Sequence, residues 1–295
     1  MNGITIRPGR IEDAEQVRSF TQDTFSWGDY VGRDFPTWLD RPDELAIVAA
    51  DNEGAPIAVA RVALLSSAEA WLSGARVHPD HRRQGIGSVM NDFGVDWARD
   101  RGAKVIRLAT EETNTAARAQ VEKLGYRSVA PFALAVRAIE SKTPPGAGTG
   151  SNGGRRLTGT ERLDLAPSAE ADPAYLVWST GDEARVAHQL FPAEGWSFRR
   201  LRPADLVAAA KARRLWTSPS AWVVTEEQDE GIWVPLFITT IEDADRAAIA
   251  LVDLAQEQHA GLLRVMVPRV DWLEEALERH QFQIAHPNFI YEKAL

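Results

Sequence analysis

Two stretches of this chain end in the same order of hydrophobic periodicities, helix, strand, helix, strand, and a run rich in Gly, Pro, Ser and Thr from Ser141 to Thr160 separates them. In the first, Ile11, Ala14, Val17 and Phe20 fall at helical spacing, so Ile11 to Phe25 is predicted to be an amphipathic helix. Leu45 to Ala50 and Pro56 to Leu65 flank Asp51-Asn52-Glu53-Gly54 and read as a hairpin. A strand from Ala70 to Val77 stops at His78-Pro79. A helix from about Gly85 to Arg101 follows, closed by Gly102, then strand Lys104 to Thr110, helix Thr115 to Leu124, a stop at Gly125 and strand Tyr126 to Ala138. In the second, helix Asp245 to Ala260 is closed by Gly261, and strand Leu262 to Val267, helix Trp272 to His280 and strand Phe282 to Glu292 complete the order. Placing Phe282 opposite Tyr126 aligns Leu277 with Val121 and Ala276 with Gln120. The pattern predicts a tandem duplication of an α/β unit with a mixed sheet: domains at 1–140 and 161–295, joined by a flexible linker at 141–160.

Composition removes several function classes. The chain has no cysteine, which excludes disulfides, thiolate metal sites and cysteine nucleophiles. Its six histidines lack the i, i+4 spacing of a helical zinc pair, so no metal is expected. A formal charge of -9 argues against sequence-independent binding of nucleic acid and suits a cationic small substrate. Apolar runs are strand-sized, too short to span a membrane, and Met1 to Arg10 carries no secretory pattern; a cytoplasmic location is expected.

The chemistry concentrates in Ala75 to Ser88, ARVHPDHRRQGIGS, which sets Arg82-Arg83-Gln84-Gly85-Ile86-Gly87 between a strand and the first turn of a helix. Unpaired amides at a helix N-terminus point at an anion, glycines let the backbone approach it, and two arginines add positive charge. The turn does not match the spacing of a nucleoside triphosphate loop and has too few glycines for a dinucleotide fingerprint. A diphosphate in another carrier fits better.

The pattern V-x-P-x-x-R-x-x-G-x-G, met by Val77, Pro79, Arg82, Gly85 and Gly87 with Ile86 as the apolar spacer, resembles the acetyl-coenzyme A site of the GNAT superfamily of N-acetyltransferases. Asn114, followed by Glu122-Lys123-Leu124-Gly125-Tyr126, resembles that superfamily's later pattern. The resemblance covers residues 4 to 138 and implies roles. Amides from Gln84 through Ser88, including those of Gly85, Ile86 and Gly87, would bind the pyrophosphate beside Arg82 and Arg83. Asn114 would lie near the pantetheine, and the strands ending at Val77 and Thr110 would splay to admit it. The Val77 amide would polarise the thioester carbonyl, a role a backbone N–H can fill whatever its side chain.

Two departures bear on acid–base chemistry. The family's tyrosine position in the second helix is Val121 here, and Tyr126 stands at a packing position. Relatives with W-L-E-G in the third strand have a glutamate where this chain has Ser73, which can relay a proton only through water. Glu69, Glu111 and Glu112 are the nearby carboxylates, and Glu111 is taken as the candidate base. Thr24 to Leu39, TFSWGDYVGRDFPTWL, is the expected acceptor wall, with Trp27, Tyr30 and Trp38 as aromatic faces and Asp29 as partner of a cationic amine.

In the second half the segment before the predicted helix reads Thr239-Thr240-Ile241-Glu242-Asp243-Ala244-Asp245, without glycine and with three acids. It is expected to be a degenerate copy that binds no coenzyme and shapes the acceptor pocket. The resemblance implies direct transfer of acetyl from acetyl-coenzyme A to a primary amine of a small molecule such as an amino acid, amino sugar or antibiotic. Acetylation of a protein or peptide amine, or acyl-coenzyme A binding without turnover, are the alternatives. A monomer or homodimer is expected, since an internal pseudo-dimer lessens the need for a second chain.

Overall fold

A computed structural model describes residues 3–22, 24, 28–140, 161–229 and 231–295; the predicted linker 141–160 and Trp27 lie outside them. The first half runs β1 (Thr5–Pro8), α1 (Ala14–Thr21), α2 (Val31–Asp34), β2 (Glu44–Ala50), β3 (Pro56–Leu64), β4 (Glu69–Val77), α3 (Ile86–Asp100), β5 (Val105–Glu111), α4 (Thr115–Lys123) and β6 (Arg127–Ala138). The second runs β7 (Asp164–Leu165), α5 (Ala171–Thr180), α6 (Asp182–Val186), β8 (Leu190–Glu194), β9 (Ser197–Arg200), α7 (Pro203–Lys211), β10 (Leu215–Ser218), β11 (Ala221–Gln228), β12 (Gly231–Ile238), α8 (Ala244–Glu257), β13 (Leu262–Pro268), α9 (Asp271–Arg279), β14 (Gln283–Ile284) and β15 (Asn288–Ala294). The β2–β3 turn closes as its residues require: Asp51 Oδ1 accepts the amides of Glu53 and Ala55, both at 2.9 Å.

The two halves repeat each other down to single hydrogen bonds. α3 ends with the Ala103 amide on the Ala98 carbonyl, and α8 with the Ala260 amide on that of Ala255. α4 ends with the Tyr126 amide on the Val121 carbonyl and α9 with the Phe282 amide on that of Leu277, both at 3.1 Å. These pairs match the alignment of Phe282 with Tyr126. One predicted stop moves: α8 is closed by His259, which takes the left-handed conformation (φ 55), rather than by Gly261. Gly261 instead offers its carbonyl to Ile139.

One continuous sheet holds both halves, in the order β1-β2-β3-β4-β5-β15-β6-β13-β12-β11-β10-β7. Its centre is a strand exchange. β15 closes the chain yet pairs antiparallel with β5 of the first half, from Asn288↔Glu111 to Ala294↔Val105. β6 in turn pairs with β13 of the second half, from Leu262↔Ala138 to Pro268↔Phe132. The ends match as well: Leu295 donates to Lys104 O, and Ile139 to Gly261 O, each at 3.0 Å.

Alternation along the strands separates two faces. On one, Ile47, Ala49, Ala58, Ala70, Leu72 and Ile106 pack under α3. On the other, Ala46, Val48 and Val59 meet Val17, Val31, Phe35 and Trp38 of the α1–α2 region. Farther along that second face the β8–β9 hairpin, α5 and α7 cover Trp71, Phe132 and Ile290.

A buried charge cluster fixes the junction of the halves. Arg107 of β5, 1% exposed, donates from Nη1 to Glu69 Oε1 of β4 at 2.7 Å and from Nε to Glu292 Oε2 of β15 at 2.9 Å. The Arg200 amide of β9 adds a hydrogen bond to Glu69 Oε1 at 3.1 Å. Burial alone would push the Glu69 carboxyl up, but the bonds from Arg107 and Arg200 outweigh it and hold it below the usual carboxylate range. Removing the arginine leaves two buried carboxylates without their cation. Arg107→Met is therefore expected to cost about 3–5 kcal/mol, read as a drop in the urea midpoint at pH 7. A loss below about 1 kcal/mol, the scale of an exposed pair, would show that the cluster does not hold the strands.

Candidate active site

β4 and β5 are parallel and pair only at Glu69↔Val105, Ala70↔Ile106 and Trp71↔Arg107. Beyond that point they part, and β4 carries a bulge. Its register against β3 passes from Arg61↔Ser73 to Val59↔Arg76, so Gly74 and Ala75 together oppose Ala60. Gly74 sits at φ 64, and a Cβ there would lie 2.9 Å from the Trp38 indole. Glycine is thus required both by the backbone and by the ring against it.

The bulge sets the direction of the amide that matters. His78 N donates to Ile57 O at 2.8 Å, so Val77↔Ala58 is a non-hydrogen-bonded pair in the antiparallel alternation. The N–H of Val77 therefore points away from β3, into the opening between β4 and β5.

The turn beside this opening leaves its donors open. Arg83 (φ 62) and Gly85 (φ 80, ψ 2) take left-handed conformations that bring the chain onto the helix axis. The first helical bonds are Ser88 N and Val89 N to Gly85 O at 3.0 and 3.3 Å. Among the described residues the amides from Arg83 to Gly87 have no backbone partner, whereas that of Ser88 is occupied. A Cβ on Gly85 would meet nothing within 4 Å, so the space above it is clear. Arg82 folds back, Nε to Val77 O at 3.2 Å, tying the turn to the end of β4; Gln84 Nε2 reaches Asp80 O at 3.4 Å. Ile86 is buried below the turn as an anchor. A Cβ on Gly87 would stand 3.1 Å from Gln120 Nε2 of α4, which places α4 against the same turn. Asn114 caps α4, its Oδ1 accepting from Ala117 N at 3.1 Å. The set suits a diphosphate: open amides, a helix N-terminus and two exposed arginines.

On the opposite face, strand alternation places Trp71 and Ser73 of β4 with Arg107, Ala109 and Glu111 of β5. Ser73 is partly exposed and Glu111 is exposed at the lip of the opening. Opposite Ser73 on β3, Arg61 is held by Glu44 at 2.5 and 2.6 Å, and Arg41 links Glu44 to Glu194 of the β8–β9 hairpin, each at 3.0 Å. Asp29 is not left for an incoming amine: both oxygens take Arg76, at 2.5 and 3.2 Å, and Oδ1 also caps Val31 N at 3.0 Å. Tyr30 lies under Arg76, the guanidinium 5.9 Å from its ring centre. Trp38 is 5% exposed and belongs to the core behind Gly74. Glu69 is committed to Arg107, and Glu112 is exposed.

Sequence reasoning passed over Arg76, Gly74 and the Arg61–Glu44 pair. A single arginine inside the apolar strand PIAVARVAL, and a glycine two residues before Arg76, were the available signals. It gave no hint of the β8–β9 hairpin, whose Phe198 stacks on Trp71 with ring centres 5.7 Å apart.

Tyr126 is 4% exposed and its hydroxyl donates to Asn91 Oδ1 at 2.8 Å. Burial, with Asp92 adding to it, pushes the phenol far above its usual range. It acts as a packing residue. Tyr126→Phe should lower stability by about 1–2 kcal/mol while leaving the pH profile of any catalysed reaction in place; a displaced profile would return Tyr126 to the chemistry.

Residues 14–126 match the model of the Acetyltransferase (GNAT) family. The curated histidine N-acetyltransferase of Scomber australasicus is 27% identical over 113 residues, 37% of this chain. The match spans 33% of that protein's length. Among solved structures, a GCN5-related N-acetyltransferase from Sphaerobacter thermophilus superposes with a TM-score of 0.68 at 14% identity, covering 100% of this chain and 96% of that one. A GCN5-related glucosamine N-acetyltransferase region of a fungal multi-domain GH3 beta-N-acetylglucosaminidase gives 0.65 at 13% identity, over 98% of this chain and 38% of that one. At these identities the structural likenesses establish the fold, and they do so over both halves.

Proposed function

We propose that this chain, whose residues 14–126 match the GNAT acetyltransferase family model, transfers acetyl from acetyl-coenzyme A directly to the primary amine of a small molecule. One observation carries the reading: the Val77 amide turned into the opening between β4 and β5, beside a turn whose amides from Arg83 to Gly87 are free. Acetyl-coenzyme A would bring the activated thioester. The open amides and the arginines at 82 and 83 would hold its diphosphate, and Asn114 stands at the α4 cap beside the route of its arm. The Val77 N–H is placed to stabilise charge developing on the carbonyl oxygen, an effect worth about 3 kcal/mol in a dry site. Arg82, bonded to the Val77 carbonyl, ties the turn to the end of β4 one peptide unit beyond that N–H.

On the acceptor side Ser73 and Glu111 share the face from which an amine would approach. Glu111 is the proposed base, reached through water, with Ser73 in the relay. Arg76 and Asp29 act on positioning: the pair fixes Tyr30 and the start of α2 over the end of β4. The β8–β9 hairpin narrows the same face through Phe198 and Glu194, which supports a small acceptor over a peptide laid in an open groove. The name of the curated relative supports an amino-acid-like amine. The domains of the working protein are proposed as 1–140 for catalysis and 161–295 for shaping the acceptor side. No metal is invoked.

The test is release of free thiol from acetyl-coenzyme A with a panel of amino acids, amino sugars, aminoglycosides and short peptides. The chain's lack of cysteine keeps the background low. Gly87→Asp is expected to weaken coenzyme A at least about 100-fold, since a carboxylate would occupy the anion cradle, with the thermal midpoint little changed. Unaltered affinity would overturn the site. Coenzyme binding with no thiol release from any amine would turn the reading to a binding module.

A further inference from the structure

The second half has its own parting strands. β12 and β13 pair in parallel from Gly231↔Leu262 to Val234↔Val265 and then separate. Gly231↔Leu262 corresponds to Glu69↔Val105 of the first half, by the same repeat that matches Ala260 to Ala103. β12 also carries one extra residue against β11, where the register passes from Glu226↔Trp233 to Val224↔Leu236. Thr239 therefore lies as far beyond Gly231 as Val77 lies beyond Glu69. The Thr239 N–H makes no bond to β11, while its hydroxyl is the group that reaches the Ser220 carbonyl, at 2.8 Å. Both halves thus present one strand-end amide to an opening.

In the second half that amide faces a buried carboxylate. α6 follows α5 after Gly181 and packs against β13. Ala184 and Ala187 join the apolar cluster on one face of the sheet, while Val186 packs against the cluster on the other. A segment can touch both only where the sheet is open. Glu183, 4% exposed, has its own amide and that of Thr239 beside its carboxylate, and its Oε1 has no hydrogen-bond partner among the described residues.

We propose that α6 is a permanent internal occupant of the second cleft, with the Glu183 carboxylate seated on the amide equivalent to that of Val77. The cleft is filled by the chain itself rather than merely lacking a glycine-rich turn, so each chain holds one coenzyme. The inference rests on the functional reading only in naming what is kept out; the occupancy stands on geometry.

The carboxylate has a signature. Burial pushes Glu183 up to about 7, with neighbouring Asp182 adding to it. Asp182 is the one charged group among the described residues that bears on it; no cation pairs with it, and α5 turns the Val177 and Trp178 carbonyls to this corner. A carboxyl raised in the folded state costs stability once ionised, so the cost appears as pH rises from about 4.5 toward 7 and is complete above.

Two measurements on the full chain test this. Glu183→Gln should match the parent's thermal midpoint near pH 5 and exceed it by a few degrees at pH 8; a constant difference across that range would overturn the burial. Amide hydrogen exchange without ligand should find Thr239 protected and Val77 open, and added coenzyme A should slow Val77 and the 83–87 turn while leaving Thr239 unchanged. Fast exchange at Thr239, or its protection only by coenzyme, would sink the internal occupant. Protection of neither Val77 nor the turn would instead sink the assignment of the first cleft, and leave the second untouched.

Discussion

Arg107 is where the molecule is tied together. One guanidinium inside the sheet joins β4, β5 and the exchanged β15 through Glu69 and Glu292, and the β9 backbone closes on the same carboxylate. Such a cluster is expensive to bury and tolerates no loss of its central charge. Its place in the sheet matters as much as its strength. Trp71↔Arg107 is the last pair before β4 and β5 separate, so the opening begins where the charge lock ends. Two strands that must diverge need a firm junction below the divergence, and this one is made by both halves.

From a shared plan the halves have moved in opposite directions. The first keeps a long connection from β4 to α3, with left-handed residues at 83 and 85 that turn free amides outward. The second joins β12 to α8 by a shorter one. There Asp243 accepts from Thr240 and pairs with Arg246, and Asp245 pairs with Arg279 and His280. Two of the three acids that stand in place of a glycine-rich turn, Asp243 and Asp245, are thus paired. The first half fixes Asp29 with Arg76, while in the second we propose that Glu183 sits on the Thr239 amide.

Much of this was legible in the chain. Most helices and strands announced by period, and the stops at Gly102 and Gly125, appear where the spacing put them, but the strand expected from Phe282 to Glu292 breaks into β14 and β15. The alignment of Phe282 with Tyr126 anticipated a repeat seen in matching helix-end bonds. The turn proposed to hold an anion was readable in its backbone, which is written in Gly85 and Gly87. The acceptor wall was not. Asp29 was taken for a partner of the substrate, yet its partner Arg76 is distant in sequence, and no local pattern records that pairing. Trp38 belongs to the core for a similar reason: it packs on a bulge glycine of another strand. The strand exchange also left no trace, because β6 and β15 have the composition of central strands in either position.

That exchange sets an order of events for a chain emerging from the ribosome. β5 is made early, but its neighbour β15 comes last, and β6 must wait for β13. Neither half can complete its sheet from its own contiguous sequence, so the entropic cost of closing distant contacts falls on the whole chain at once. The turn and the parted strands lie entirely in the first half, while the strand that braces them, β15, follows the second. Synthesis therefore leaves the parted strands unbraced until β15, made only after the second half, has paired with β5.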